Sequence, residues 1–441
     1  MYTSISTISA PQCSYVLEAS CRMLPIFRHQ AQTLTHCNCI TTSSRVHGLN
    51  FRVEIPGTMR IRRSLQWRCS ASLITDPDAF QVGRFLGSYG FMNITSYSGF
   101  QGGSDAGYSS EDVGKLRTQD VGEGSVKIRL YEGRIAQGPL RGTSVIFKVY
   151  PGQKAGGAEA DMMAANELST HAFLQSSSKE ICQNLVLLLG GFETKTGEQW
   201  LAFRNDGRYS AADYVKTASE KITKAISADA VWNPFERKEI LIERRRYFVV
   251  RILQGISNGL AYMHDHDRLH QSLGPASVVL NTKFEREGTY LIARLRDLAF
   301  SVDISLSSLE KGPGSLSEGL WRRAISAGAF NPIEKRAFGI ADDMYEAGLL
   351  FAYLAFVPFC ETGAMDSLSL QRLLESTFQL DLQAAREYCL ADDRLLEAVK
   401  FLDLGDGAGW ELLQAMLNPD FRKRPIAEAV RNHRFVTGAV L

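Results

Sequence analysis

The chain is predicted to fold as an α+β protein of two lobes, a small β-rich N-terminal lobe followed by a large helical C-terminal lobe. Three observations predict this. Strand-like alternation is concentrated between residues 115 and 206, whereas helical periodicity dominates residues 207–441. Of the 441 residues, 45% are hydrophobic and 22% charged, which supplies a sizeable core for a globular chain. Strands gathered first and helices second give segregated layers rather than alternating βα units, with a cleft where the two parts meet.

The elements can be justified in order, beginning with a segment that is not expected to fold. Residues 1–75 hold eight Arg, no Lys and only Glu18 and Glu54 as acids, a balance of +6 in a chain whose total is +1. An Arg- and Ser-rich, acid-poor leader has the composition of an organelle transit peptide, and Trp67-Arg68-Cys69-Ser70-Ala71-Ser72 looks like a plastid processing site. Residues 1–71 are therefore read as a plastid transit peptide, with mitochondrial import as the alternative. A merely disordered tail accounts less well for the missing Lys. Five of the eight Cys fall in this leader; Cys182, Cys360 and Cys389 remain, too scattered for a disulfide framework or a zinc site. Neither a nucleic-acid partner nor a membrane span is expected. The apolar run Ala347 to Cys360 is fourteen residues long, short of the ~18–20 that a spanning helix needs, and reads as a helix buried on all sides.

Residues 72–114 are read as a Gly/Ser-rich linker, because 83–110 contain seven Gly and few aliphatic side chains. Within it, Leu86-Gly87-Ser88-Tyr89-Gly90 is a weak phosphate-loop signal and is taken as linker whose aromatics can dock on the folded domain. Val126 to Tyr131 alternates as a half-buried strand, and Thr143 to Tyr150 is a second strand rich in β-branched and aromatic residues. Residues 159–175 have helical spacing, and Asn184 to Gly190 is a short apolar strand. Glu236 to His264 is a long amphipathic helix with Ile240, Phe248, Ile252, Ile256 and Leu260 along one side. Its Arg244-Arg245-Arg246 triplet is read as a solvated face, with a docking patch for an acidic partner as the lesser alternative.

Several short segments carry chemical meaning. In Val121-Gly122-Glu123-Gly124-Ser125-Val126, Gly122 and Gly124 let the backbone approach phosphates, although Lys127 stands where a third glycine would complete G-x-G-x-x-G. Lys148 ends the strand Val145-Ile146-Phe147-Lys148, and Glu167 on the following helix is placed to pair with it; Glu159 is the competing choice. Asp297-Leu298-Ala299 follows a predicted strand, Leu291 to Leu295, and offers a carboxylate for a metal ion. Between them runs Leu269-His270-Gln271-Ser272-Leu273-Gly274-Pro275-Ala276-Ser277. Farther on, Asp343 opens the long apolar run, and Asn418-Pro419-Asp420-Phe421-Arg422-Lys423-Arg424-Pro425 precedes His433-Arg434-Phe435.

Taken in this order, residues 121–435 resemble a protein kinase domain. The closing part, Leu402 to Leu413, is similar to that of the plastid thylakoid Ser/Thr kinases of the state-transition type and to the kinase-like region of a plastid-lipid-associated protein. The resemblance implies a bilobal protein-kinase-like fold, with Gly122, Gly124, Val126, Lys148, Glu167 and Asp297 as ATP-binding positions and Asp297 as ligand of Mg2+. It also implies that Asp343 ties the catalytic loop's backbone, and makes Asn331-Pro332-Ile333-Glu334 the nearest candidate for the A-P-E segment. The chain departs where the chemistry resides. The catalytic loop pattern H-R-D-L-x-x-x-N has Ser272 for its Asp base and Ser277 for its metal-holding Asn.

A Ser hydroxyl is no carboxylate base at pH 7, and a lost base costs ~10²–10⁴-fold in rate. Asp265 and Asp267 are expected in the turn before the loop, on the wrong side to replace it. No catalytic residue is therefore assigned. The expected function is that of a pseudokinase with weak or no ATP binding that acts through a plastid protein partner, in the stroma or in peripheral contact with the thylakoid surface. An active protein Ser/Thr kinase with displaced groups, and a ligand-free scaffold in which Lys148 and Glu167 form only a structural ion pair, stand as alternatives. For the scaffold, an insertion at 217–245 and a long hairpin at 281–291 are the expected docking surfaces.

Overall fold

Alternation between residues 80 and 204 generates one antiparallel sheet. The computed structural model describes residues 73–91, 126–177, 181–227, 234–312, 314 and 316–441. The leader, Gly122 and Gly124 lie outside the described residues. Strands β1 (Phe80–Phe91), β2 (Val126–Ile135), β3 (Ser144–Tyr150), β4 (Leu188–Glu193) and β5 (Gln199–Arg204) form a five-stranded sheet in the order β1-β2-β3-β5-β4. In β3, Val145, Phe147 and Val149 point to one face, where they meet Phe80, Ile135, Leu187 and Ala202. Lys148 and Tyr150 point to the other face, toward helix α1 (Gln153–Ser176). That helix places Ala160, Met163, Ala164, Leu168 and Leu174 against the sheet and core at helical spacing. It begins earlier than the expected residue 159, through a break at Gly157, whose φ is 64°.

The linker expected over residues 72–114 is corrected at its described end. Residues 80–91 are not spacer but the first strand of the sheet, paired along β2 from Phe80 opposite Ile135 to Phe91 opposite Val126. Even residues before it are bound: Ile74 N–H donates to Leu189 O at 3.0 Å and Ile74 O accepts from Gly191 N–H at 2.9 Å. The approach is so close that a Cβ on Gly190 would lie 2.0 Å from Ile74 O. Glycines lowered the apparent strand propensity, but an edge strand needs packing on one side only.

The larger lobe is helical. The short strand β6 (Tyr209–Ser210) opens into helices α2 (Ala211–Ser227) and α3 (Pro234–Asp265), which are followed by the short strands β7 (Arg268–Leu269), β8 (Val278–Leu280), β9 (Ala293–Leu295) and β10 (Val302–Asp303). Sheet order is β6-β8-β9, with β7 and β10 paired separately. There follow α4 (Leu306–Lys311), α5 (Glu318–Ser326), α6 (Pro332–Phe356), α7 (Ser367–Gln371), α8 (Leu382–Leu390), α9 (Leu396–Leu402), α10 (Leu404–Met416) and α11 (Ala427–Arg431). The apolar run Ala347–Cys360 becomes the last turns of α6 and a 3-10 turn, with Leu350, Ala352, Leu354, Ala355 and Phe356 all fully buried. Among the described residues no helix is long and apolar enough to cross a membrane.

Helix α3 requires two corrections. Ile240 is 45% exposed and lies off the buried stripe, whereas Phe248, Ile252, Ile256 and Leu260 are on it. Arg245, expected on a solvated face, is completely buried. It pairs with Glu285 at 2.7 Å, donates to Pro358 O, and so binds the 281–291 excursion to the lobe's core. The physical reason is register: Ile242, Arg245, Val249 and Ile252 share one helical face, and the carboxylate of Glu285 compensates the charge there.

Candidate functional site

The site is built where β3, α1 and the turn after β9 converge. Because Lys148 lies on the inward face of β3 and Glu167 on the inward face of α1, their side chains meet at 2.7 Å. Glu167 rather than Glu159 makes this pair. Lys148 also reaches Asp297 Oδ1 at 2.8 Å, bringing together three residues separated by 149 positions. All three are buried, with exposures of 3%, 1% and 1% for Lys148, Glu167 and Asp297. Tyr150 donates its hydroxyl to Glu167, and Glu167 accepts Leu298 N–H at 3.3 Å. Asn166, the neighbour of Glu167 in α1, donates to both Ala299 O and Ser301 O at 2.8 Å. The helix is thereby clamped to the Asp297-Leu298-Ala299 turn.

Electrostatics follow from this geometry. Burial works to raise the Asp297 carboxyl, but the charges of Lys148 and then Arg296, whose guanidinium is 3.2 Å from Oδ2, outweigh it and depress the pKa to about 2. Burial works to lower Lys148, yet Asp297 and Glu167 hold it charged well above the usual range. Two cations and two carboxylates thus balance within one cluster, with Lys148, Glu167 and Asp297 buried and Arg296 at its partly exposed edge. Beside it, burial and then Lys148 push His171 down to about 3, keeping its imidazole neutral.

A further contributor was missed by sequence reasoning. Tyr89 of β1 donates its hydroxyl to Asp297 Oδ1 at 3.0 Å, and its ring centroid lies 5.9 Å from Lys148 Nζ. Val126, a predicted site residue, opens β2 and is fully buried in the same cluster as Tyr89. The available signal was the Gly87-Ser88-Tyr89-Gly90 string, read as linker because glycine content masked its alternation.

The catalytic-loop segment is held from below. Asp343 in α6 accepts His270 N–H at 2.7 Å, Gln271 N–H at 3.0 Å and the Gln271 side-chain amide at 2.9 Å, and bonds the His264 ring at 3.0 Å. Opposed to its burial, the His264 bond lowers the Asp343 pKa. Gln271 adopts φ 57°, a left-handed conformation that this anchoring maintains. The reactive positions are differently engaged. Ser272 donates its hydroxyl to Asp297 O at 2.5 Å, and Ser277 donates to Gly274 O and accepts from Gly274 N–H, both at 2.9 Å. Asp267 lies in the turn after α3, where it is paired with Arg336 at 2.7 Å. Its carboxylate is thus engaged by a guanidinium of α6.

The A-P-E candidate has a structural use instead. Asn331 caps α6 by accepting Glu334 N–H at 2.9 Å, Glu334 reaches back to Asn331 N–H, and Pro332 starts the helix. Arg424 of the closing segment bonds the backbone at Asn418 O and Ala341 O and lies over the Tyr345 ring.

These donors are few for a magnesium ion. Asp297 is the sole carboxylate offered from the turn, two cations already neutralise it, and the second expected ligand position, Ser277, closes its own loop. Among the described residues no group of three or more His, Cys, Asp or Glu converges on a metal position. The donor set does not fit a two-ligand magnesium site.

A five-stranded antiparallel sheet with its Lys–Glu pair, an Asp turn beneath it and a loop whose backbone is tied by a buried Asp together constitute a bilobal protein-kinase-like fold. No family model matches the chain. Among solved structures it is similar to the crystal structure of an Stt7 homolog from Micromonas algae soaked with ATP, at 17% identity and a TM-score of 0.49, covering 90% of this chain and 98% of that one.

Proposed function

We propose that this chain is a protein-kinase-fold module without phosphotransfer activity that works by binding a partner protein. One observation carries the reading. At the catalytic-base position stands the Ser272 hydroxyl, which donates its proton to the backbone carbonyl of Asp297 at 2.5 Å, so the position offers no carboxylate to take a proton from an incoming alcohol. A plastid setting, in the stroma or at the thylakoid surface, is part of the proposal and rests on the composition of residues 1–75 and the similarity of residues 402–413. Mitochondrial import is its alternative.

Transfer of labelled phosphate from ATP, to the chain itself and to thylakoid protein, tests the reading. Transfer no greater than that of an Asp297→Ala variant is expected. Clear transfer that Asp297→Ala abolishes would overturn it in favour of an active kinase.

A second reading is favoured by the satisfied state of the buried cluster: a scaffold that takes no nucleotide at all, Lys148 serving only Glu167 and Asp297. A thermal-shift titration with ATP and magnesium distinguishes the two. Stabilisation that Lys148→Ala removes speaks against the scaffold.

A further inference from the structure

We propose that Tyr89 is an internal competitor for the cleft, occupying the position beside Lys148 and Asp297 that nucleotide phosphates would take. The inference rests on the kinase-fold reading of the cleft and is independent of whether phosphate is transferred.

Register brings Tyr89 there. Tyr89 pairs with Ile128, and Leu130, two residues along β2 on the same face, pairs with Lys148. Tyr89 and Lys148 therefore share the inward face of the sheet. Simple alternation would not have produced this. Phe85 pairs with Tyr131 and packs on its ring on the outer side, 5.4 Å between centroids, and positions 87 and 89 would follow Phe85 outward. Instead the register shifts between Phe85 and Gly87: β1 advances two residues while β2 advances one, from Tyr131 to Leu130. An extra residue of this kind reverses the facing of everything after it. The irregularity turns Tyr89 inward.

Once inward, the side chain is anchored at both ends of its chemistry. Its ring belongs to the apolar cluster that contains Val126, Ile128, Val279 and Phe300, drawn from both lobes. Its hydroxyl bonds Asp297, and the Lys148 ammonium lies between its ring and that of Tyr150, 5.9 and 5.4 Å from the two centroids. Burial and the Asp297 charge push the Tyr89 hydroxyl far above its ordinary pKa, which keeps it a donor. A nucleotide reaching Lys148 has to displace a buried ring and break the bond to Asp297.

Titration calorimetry of the full chain with ATP, run in parallel with and without magnesium chloride, tests this. Tyr89→Ala is expected to bind ATP about tenfold or more tightly than the wild type in at least one series, as expected for removal of a steric block and one hydrogen bond. Adding Lys148→Ala to it is expected to cancel the gain. Should Tyr89→Ala fail to fold, Tyr89→Phe, which keeps the ring, is expected to give a smaller gain of about threefold. A folded variant that binds ATP no more tightly than the wild type in both series overturns the proposal, as does a gain that survives Lys148→Ala. Phosphate transfer by any of these proteins would count against the lost activity alone and leave the competitor intact.

Discussion

At one end of the loop segment, a single carboxylate gathers two backbone amides, a side-chain amide and an imidazole; at the other, two serine hydroxyls donate to backbone carbonyls. Asp343 performs the first task for His270, Gln271 and His264. Ser272 and Ser277 perform the second, to Asp297 O and Gly274. The anchored end needs a buried acceptor and a backbone bent to meet it. At the other end the hydroxyl protons of Ser272 and Ser277 are held by the carbonyls of Asp297 and Gly274. Backbone geometry and side-chain identity are thus separable within nine residues: the loop's anchoring persists while serines stand at 272 and 277.

The contrast can be broken most forcefully at the anchor. Asp343→Ala leaves buried donors unmet on both His270 and Gln271, and is expected to cost about 3–5 kcal/mol in urea unfolding. A cost near that of a serine substitution would show the anchor to be dispensable. Intermediate in size is the effect of acid. His171, held near 3 against an ordinary 6.5, stays neutral in the folded chain while the unfolded chain takes up a proton. Stability therefore falls as pH drops through 6.5 and goes on falling toward 3. Between pH 7 and pH 5 this amounts to about 2 kcal/mol, and His171→Phe is expected to flatten that part of the urea-midpoint profile. Asp297 and Asp343, both depressed, lose their contributions only at lower pH, as acid descends below the ordinary carboxylate range. Smallest is Ser277→Ala, which removes one local hydroxyl bridge and is expected to cost about 1 kcal/mol with no change in phosphate transfer. A measurable change in transfer would give the serine a chemical role.

Legibility differed with the kind of signal. Val145-Ile146-Phe147-Lys148 marked Lys148 through its resemblance to a kinase strand, and the alternation of β3 then set its facing. Glu167 and Asp297 followed from their order along the chain, although only the fold chose Glu167 over Glu159. Arg245 was misread because a run of three arginines looks solvated. Its spacing from Ile242 and Val249 was the overlooked clue, and its partner Glu285 lies 40 residues away. Tyr89 was hidden twice, once by a glycine-rich composition and again by a register shift that no local pattern encodes.

Residue types and spacing determined the two-lobed α+β plan, and the ordered motifs that resemble a kinase pointed to the Lys148–Glu167–Asp297 set and to serines at 272 and 277, since both depend on identity and local period. Which carboxylate meets Lys148, the burial of Arg245, and the turn of Tyr89 into the cleft were decided by the tertiary structure. Each of these depends on strands and helices distant in sequence being packed together, where charge compensation and register, properties of pairs rather than of single residues, select the outcome.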